Sequence, residues 1–160
     1  MTTPKLQREL KKKRAFESPQ EEALLSVVRT SDQLQIRSAR LLREHGLTPS
    51  QYNVLRILRG EGKPLPILEI ASRTIAVVPG ITGLIDRLEQ AGFVNRLRCE
   101  QDRRMIFVAL TDEGMTTLAA LDEPLVALRQ KLLGHLSQGE LKELIRLLEK
   151  VREPLAGTDA

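Results

Sequence analysis

The chain has 160 residues, of which 41% are hydrophobic and only 2% aromatic, and a formal net charge of +4. That length suits one domain with a core of Leu, Ile, Val and Ala, and the scarcity of aromatic residues argues against a strand-rich fold. A single cysteine excludes an internal disulfide, two histidines far apart in sequence give no metal-ligand set, and no run of about 18 apolar residues is present to span a membrane.

Residues 1–18 are polar and basic. Lys5, Arg8, Lys11, Lys12, Lys13 and Arg14 face Glu9 alone over the first 16 residues, so the rest of the chain is close to neutral. This segment reads as a mobile arm or a loosely formed helix, serving either as a solvated tail or as a row of cations for DNA phosphates. No apolar run follows it, so it is not a signal peptide, and a reduced, cytoplasmic setting is expected.

A first long helix is expected over 19–46. Ser18 can cap it, Pro19 suits its first turn, and Glu21 and Glu22 favour its positive end. Leu24, Val27, Val28, Leu34, Leu41 and Leu42 recur at steps of three and four, with small Ser31 and Ser38 between them. Gly46 stops it. A stripe this long at the edge of a small domain calls for another long helix, in this chain or in a partner.

Thr48, Pro49 and Gln51 write a capping box for the next helix, whose buried side is Tyr52, Val54, Leu55, Ile57 and Leu58. A turn at Gly60–Pro64 leads to a short helix opened by Pro66, and a break at Ile75–Val78 leads to another, with Pro79 in its first turn. In that helix Ile81, Leu84, Ile85 and Leu88 face inward. Gly80, Thr82, Gly83, Asp86, Arg87 and Gln90 form the other face, before Ala91-Gly92 ends it. Two short helices joined by a tight turn, the second with a small and polar exposed face, make a helix-turn-helix.

A strand through Phe93, Val94 and Leu97 and an alternating strand over Met105–Leu110 form a hairpin that can bury only one face against the helices. Its tip carries Cys99, Glu100 and Asp102-Arg103-Arg104. Thr111 caps a further helix, with Asp112 and Glu113 in its first turn. Pro124 is expected to kink or break that helix, since it removes a hydrogen bond. Ser137 and Glu140 form another capping box, before a Leu-rich helix through Val151.

The residues LTPSQYNVLRIL (47–58), ITGLIDRLEQAGFVNR (81–96) and DRRMIFVALTDEG (102–114) resemble the MarR family of bacterial transcriptional regulators. The fold class expected is mainly α with a small β-hairpin wing. It is a winged helix-turn-helix over 47–111, with dimerisation helices at 19–46 and 112–160. The resemblance implies a homodimer whose first and last helices interlock. It also implies that the helix at 79–91 enters the major groove of double-stranded DNA and that the hairpin tip approaches the minor groove. Many members are repressors that release DNA on binding a small aromatic or phenolic effector. On this basis Asp102 and Arg104 are the wing pair, the carboxylate steadying the guanidinium, with Arg103 beside them. Arg87 matches the arginine of the family's D-R-L-E segment. The chain departs from the family pattern at Val77-Val78, where many members cap the recognition helix with Ser or Thr, and at Pro66. It also lacks a cysteine near the start of the first helix.

The DNA-binding candidates are therefore Pro79, Gly80, Thr82, Gly83, Arg87, Arg98, Asp102, Arg103 and Arg104, with Arg96 a further candidate for a phosphate. A nucleophile and base at a recognisable spacing, a Gly-rich phosphate loop and an HExxH motif are all missing. No catalysis, metal or cofactor is expected. The near-neutral body keeps one alternative open: a winged-helix protein-interaction module that does not bind DNA.

Overall fold

Three helix starts are written in the side chains that cap them. Ser18 Oγ accepts from the Glu21 amide at 3.2 Å. Thr48 and Gln51 cap each other's amides at 3.2 and 2.9 Å, and Ser137 and Glu140 do the same at 3.3 and 2.8 Å. Each pair satisfies amides that a helix N-terminus otherwise leaves open. The computed structural model describes residues 5–98 and 105–156. Along them run α1 (Lys5–Glu9), α2 (Pro19–Glu44), α3 (Pro49–Glu61), β1 (Leu65–Pro66), α4 (Ile67–Ser72), α5 (Ile81–Gln90), β2 (Val94–Arg98), β3 (Ile106–Leu110), α6 (Asp112–Leu133) and α7 (Gln138–Arg152). The chain divides into two compact units, residues 1–121 and 122–160.

In the first unit α3 is the central element. It packs against α2, α4, α5 and β3. Val54 and Leu55 are fully buried, as are Ile70 of α4, Ile85 and Leu88 of α5, and Leu118 and Leu121 of α6. Burying a side chain of this size stabilises by roughly 1.5–3 kcal/mol, so this set holds the helix-turn-helix to its support. An exposed ion-pair cluster joins α3 to α4, in which Arg73 reaches Glu61 and Glu69, each at 2.6 Å.

The basic N-terminal segment contains the short helix α1, whose Leu6 is buried. Lys12 pairs with Glu21 at 3.0 Å, and its ammonium lies 5.2 Å from the centre of the Phe16 ring. The segment is thus fastened to the first turn of α2 at that point.

The sheet has three strands in the order β1-β3-β2, all antiparallel, where the sequence suggests two. β1 is only Leu65 and Pro66, paired with Val108 and Phe107. Two residues show no period, and a proline at a sheet edge loses no ladder bond. Directly opposed partners share a face, so Val94, Arg96 and Arg98 lie on the same side as Leu110, Val108 and Ile106. Val94 and Val108 are fully buried, which fixes this as the face turned to the helices. Phe93 lies outside the strand, which begins at Val94.

Thr111 closes the sheet onto α6. Its hydroxyl donates to Gly92 O at 2.6 Å and accepts from the Gly114 amide at 3.1 Å. A Cβ at Gly114 would meet the Phe93 carbonyl oxygen at 2.4 Å, so only glycine permits this approach. Pro124 does not break α6, which is continuous over Asp112–Leu133. Leu121 and Leu125 on either side are buried, and that burial outweighs one lost hydrogen bond.

In the second unit α7 buries no residue. Leu144, Ile145, Leu147 and Val151 are between 40% and 55% exposed. α2 resembles it: only Leu42 is buried, while Leu24, Val27, Val28 and Ile36 face solvent.

Candidate nucleic-acid interface

The second helix of the helix-turn-helix is α5. It is held by Leu84, Ile85 and Leu88, all buried, so its opposite face is fixed outward. Thr82, Asp86, Arg87 and Gln90 are exposed there and Gly83 is half-buried. The helix starts two residues later than the sequence suggests. Pro79 precedes it instead of occupying its first turn, and Gly80 is the N-cap, left-handed at φ 70° with no side-chain cap. Pro-Gly is a turn dipeptide with its glycine at positive φ, and this local preference overrides proline's preference for a first helical turn. Ile75 and Val77, in the turn before α5, are 86% and 88% exposed.

Gly80 and Gly83 have different reasons to be glycine. Gly80 needs positive φ. Gly83 does not. An added Cβ there would meet only the Arg87 guanidinium, at an ordinary 3.8 Å. The fold alone therefore tolerates alanine at 83.

Arg96 belongs to α5 more than to solvent. From β2 its guanidinium pairs with Asp86 at 2.5 Å and Glu89 at 2.7 Å, with 22% of the side chain exposed. A further hydrogen bond reaches the Thr82 carbonyl at 3.4 Å. Its backbone amide donates to Glu89 Oε1 at 2.9 Å. That amide, and then the guanidinium, hold the Glu89 carboxyl below the usual carboxylate range. Along the strand Arg96 and Arg98 are both phosphate candidates. The structure separates them, because Arg96 is occupied by two carboxylates. A seven-residue spacing from Glu89 across the Gly92 turn is the sequence signal that could have found this. Arg87 and Arg98 are exposed and pair with no carboxylate among the described residues. Arg96 offsets one of the two charges of Asp86 and Glu89, and among the described residues Arg87 and Arg98 stay available as positive charges on this surface. Cys99, Asp102, Arg103 and Arg104 lie outside the described residues.

A buried helix with an outward face of small and polar side chains, beside a hairpin on the same support, can enter a major groove while the hairpin follows the backbone. The MarR family model matches residues 47–106, from the start of α3 into β3. The chain is 37% identical over 114 residues to an uncharacterized HTH-type transcriptional regulator, YkoM, of Bacillus subtilis, covering 71% of this chain and 73% of that one. This chain belongs to the MarR family. The crystal structure of a MarR transcription factor from Planctomyces limnophilus is 41% identical, with a TM-score of 0.65 over 84% of this chain and 98% of that one. AbsC, a MarR family regulator from Streptomyces coelicolor, is 27% identical, with a TM-score of 0.80 over 91% of this chain and all of that one. This MarR protein is accordingly a DNA-binding transcriptional regulator and not an enzyme. Membership also sets aside the reading as a protein-interaction module. No helix among the described residues is long and apolar enough to cross a membrane.

Proposed function

We propose that this MarR protein is a homodimeric, ligand-responsive repressor that reads a pseudo-palindromic operator from the cytoplasm. The observation that carries the reading is the pair of unburied apolar stripes on α2 and α7. Faces of that size in a stable protein need a cover, and a second copy supplies the same stripes in a self-complementary way. Residues 19–46 and 112–160 are then the dimerisation helices, and 47–111 is the reading head. Two heads related by a two-fold axis read half-sites about one helical turn apart.

At each half-site Thr82, Gly83 and Arg87 face the groove, with Pro79 and Gly80 at the entry of α5. Arg98 and the tip residues Arg103 and Arg104 meet the backbone or minor groove, and Asp102 orients Arg104. The basic segment 1–18 adds phosphate contacts outside the head. A curated relative, the homoprotocatechuate degradative operon repressor of Escherichia coli, is 26% identical over 110 residues, which favours repression. A small aromatic or phenolic effector is the expected inducer. A structural neighbour that senses organohalides has been solved with 2,4-dichlorophenol bound.

Selection of bound sites from random DNA by the purified protein, repeated with a panel of phenolic and other aromatic acids, tests this reading. It predicts an inverted repeat and at least one ligand that releases it. An asymmetric single site would remove the two-fold model. Binding that no ligand in the panel changes would leave a constitutive regulator.

A further inference from the structure

We infer that Arg96 is a positioning residue for DNA recognition. It locks the β2–β3 wing to the reading helix α5 by holding Asp86 and Glu89 together, and it does not contact phosphate. The inference rests on the reading that α5 and the wing tip both meet DNA. Four contacts carry it. The guanidinium takes Asp86 and Glu89, one helical turn apart, in a single fork at 2.5 and 2.7 Å. The Arg96 amide bonds the same Glu89 at 2.9 Å, and the Thr82 carbonyl accepts at 3.4 Å. Main chain and side chain of one strand residue are thus fixed to three residues of the reading helix. The planar, forked guanidinium suits this task where a lysine ammonium does not.

The arrangement also explains two acids beside a surface meant for a polyanion. Left unpaired, Asp86 and Glu89 would repel phosphates. Paired with Arg96, which offsets one of their two charges, they serve as its anchors. Along the chain α5 and β2 are joined by the short Ala91–Phe93 turn, and they pack against each other. Without the clamp β2 keeps its ladder to β3 but loses these polar ties to the helix whose groove the wing flanks. Asp86 and Glu89 remain in contact with solvent, which screens the pairing, so the clamp should matter more to binding geometry than to folding.

The test exploits the sign of a charge change. Replacing Asp86→Asn and Glu89→Gln together removes two negative charges from the DNA-facing side. If only charge mattered, operator affinity would rise. The clamp predicts a fall, of roughly tenfold, the order expected for coupled contacts. Arg96→Met should fall similarly, with the slope of log affinity against log salt unchanged. Arg96→Lys should lie between Arg96→Met and the unaltered protein. Arg104→Ala should cost much less in the Arg96→Met background than in the unaltered protein, because the wing is already misplaced. Thermal unfolding should move little in every variant. Two outcomes overturn the inference: affinity that rises or holds in the Asp86→Asn/Glu89→Gln protein, or a salt slope about one unit shallower in Arg96→Met, the mark of a lost phosphate contact. If Arg104→Ala has no effect in the unaltered protein, the wing-contact reading fails on its own, and the result for the acid pair alone decides whether Arg96 positions α5.

Discussion

Helices α3 and α7 begin in the same way and end in opposite environments. Both start on a complete capping box, Thr48–Gln51 and Ser137–Glu140, and both carry an apolar stripe. Yet α3 buries Asn53, Val54, Leu55, Ile57 and Leu58, whereas α7 buries nothing. Capping and periodicity determine that a helix forms and which face is apolar. They do not determine whether that face finds its cover within the chain. α3 finds α2, α4, α5 and β3, and the cover proposed for α7 is a second copy.

The sharpest contrast comes from truncating one apolar residue in each helix. Leu55→Ala in α3 should cost about 2–5 kcal/mol in chemical unfolding, at any protein concentration. Ile145→Ala in α7 should destabilise in proportion to how fully the protein is paired, so its loss relative to the unaltered protein should shrink on dilution. Equal, concentration-independent losses would erase the distinction. A charge placed on the stripe, Leu147→Glu, should leave the helix content nearly intact. It should split the assembly and weaken operator binding by roughly tenfold or more, because the second head no longer comes at high effective concentration.

Smaller effects probe the head itself. Gly83→Ala should raise stability by about 0.5–1 kcal/mol, since alanine is the better helix former and the space is open. It should nonetheless weaken or retune operator binding if α5 lies close against the groove there. A variant that is more stable and binds equally well would show that the gap at Gly83 serves no contact. The smallest effect concerns pH. Glu21, Glu61, Glu89, Glu140 and Glu143 are all held below the ordinary carboxylate range by amide and cation partners. A lowered native pKa gives stability that is fully present above the unfolded value and is lost as pH falls through the native one. Unfolding midpoints should therefore be flat near neutrality and fall below about pH 4.5. The fall should be less in Glu89→Gln.

Much of this fold is legible in the sequence, because caps and stripes are local. Ser18, Thr48, Thr111 and Ser137 each mark a helix start, and Leu84, Ile85 and Leu88 give the buried face of α5. What escapes is what depends on closure in three dimensions. β1 is two residues with no pattern of their own, and it exists only because β3 lies beside it. Pro124 looks like a break until burial on both sides keeps the helix continuous through it. Pro79 carries two conflicting local signals, and the one from Gly80 prevails. Arg96 and Arg98 look equivalent along the strand, and they differ because one of them stands opposite Asp86 and Glu89 once the Gly92 turn has closed.

The central claim is that the exposed faces of α2 and α7 are covered by a second copy, which pairs two reading heads. Sedimentation equilibrium of the full chain over a range of concentrations tests it most directly. A mass of about twice the 18.0 kDa chain is expected at micromolar concentrations, reduced toward one chain by Leu147→Glu. A single-chain mass across the whole range would contradict it.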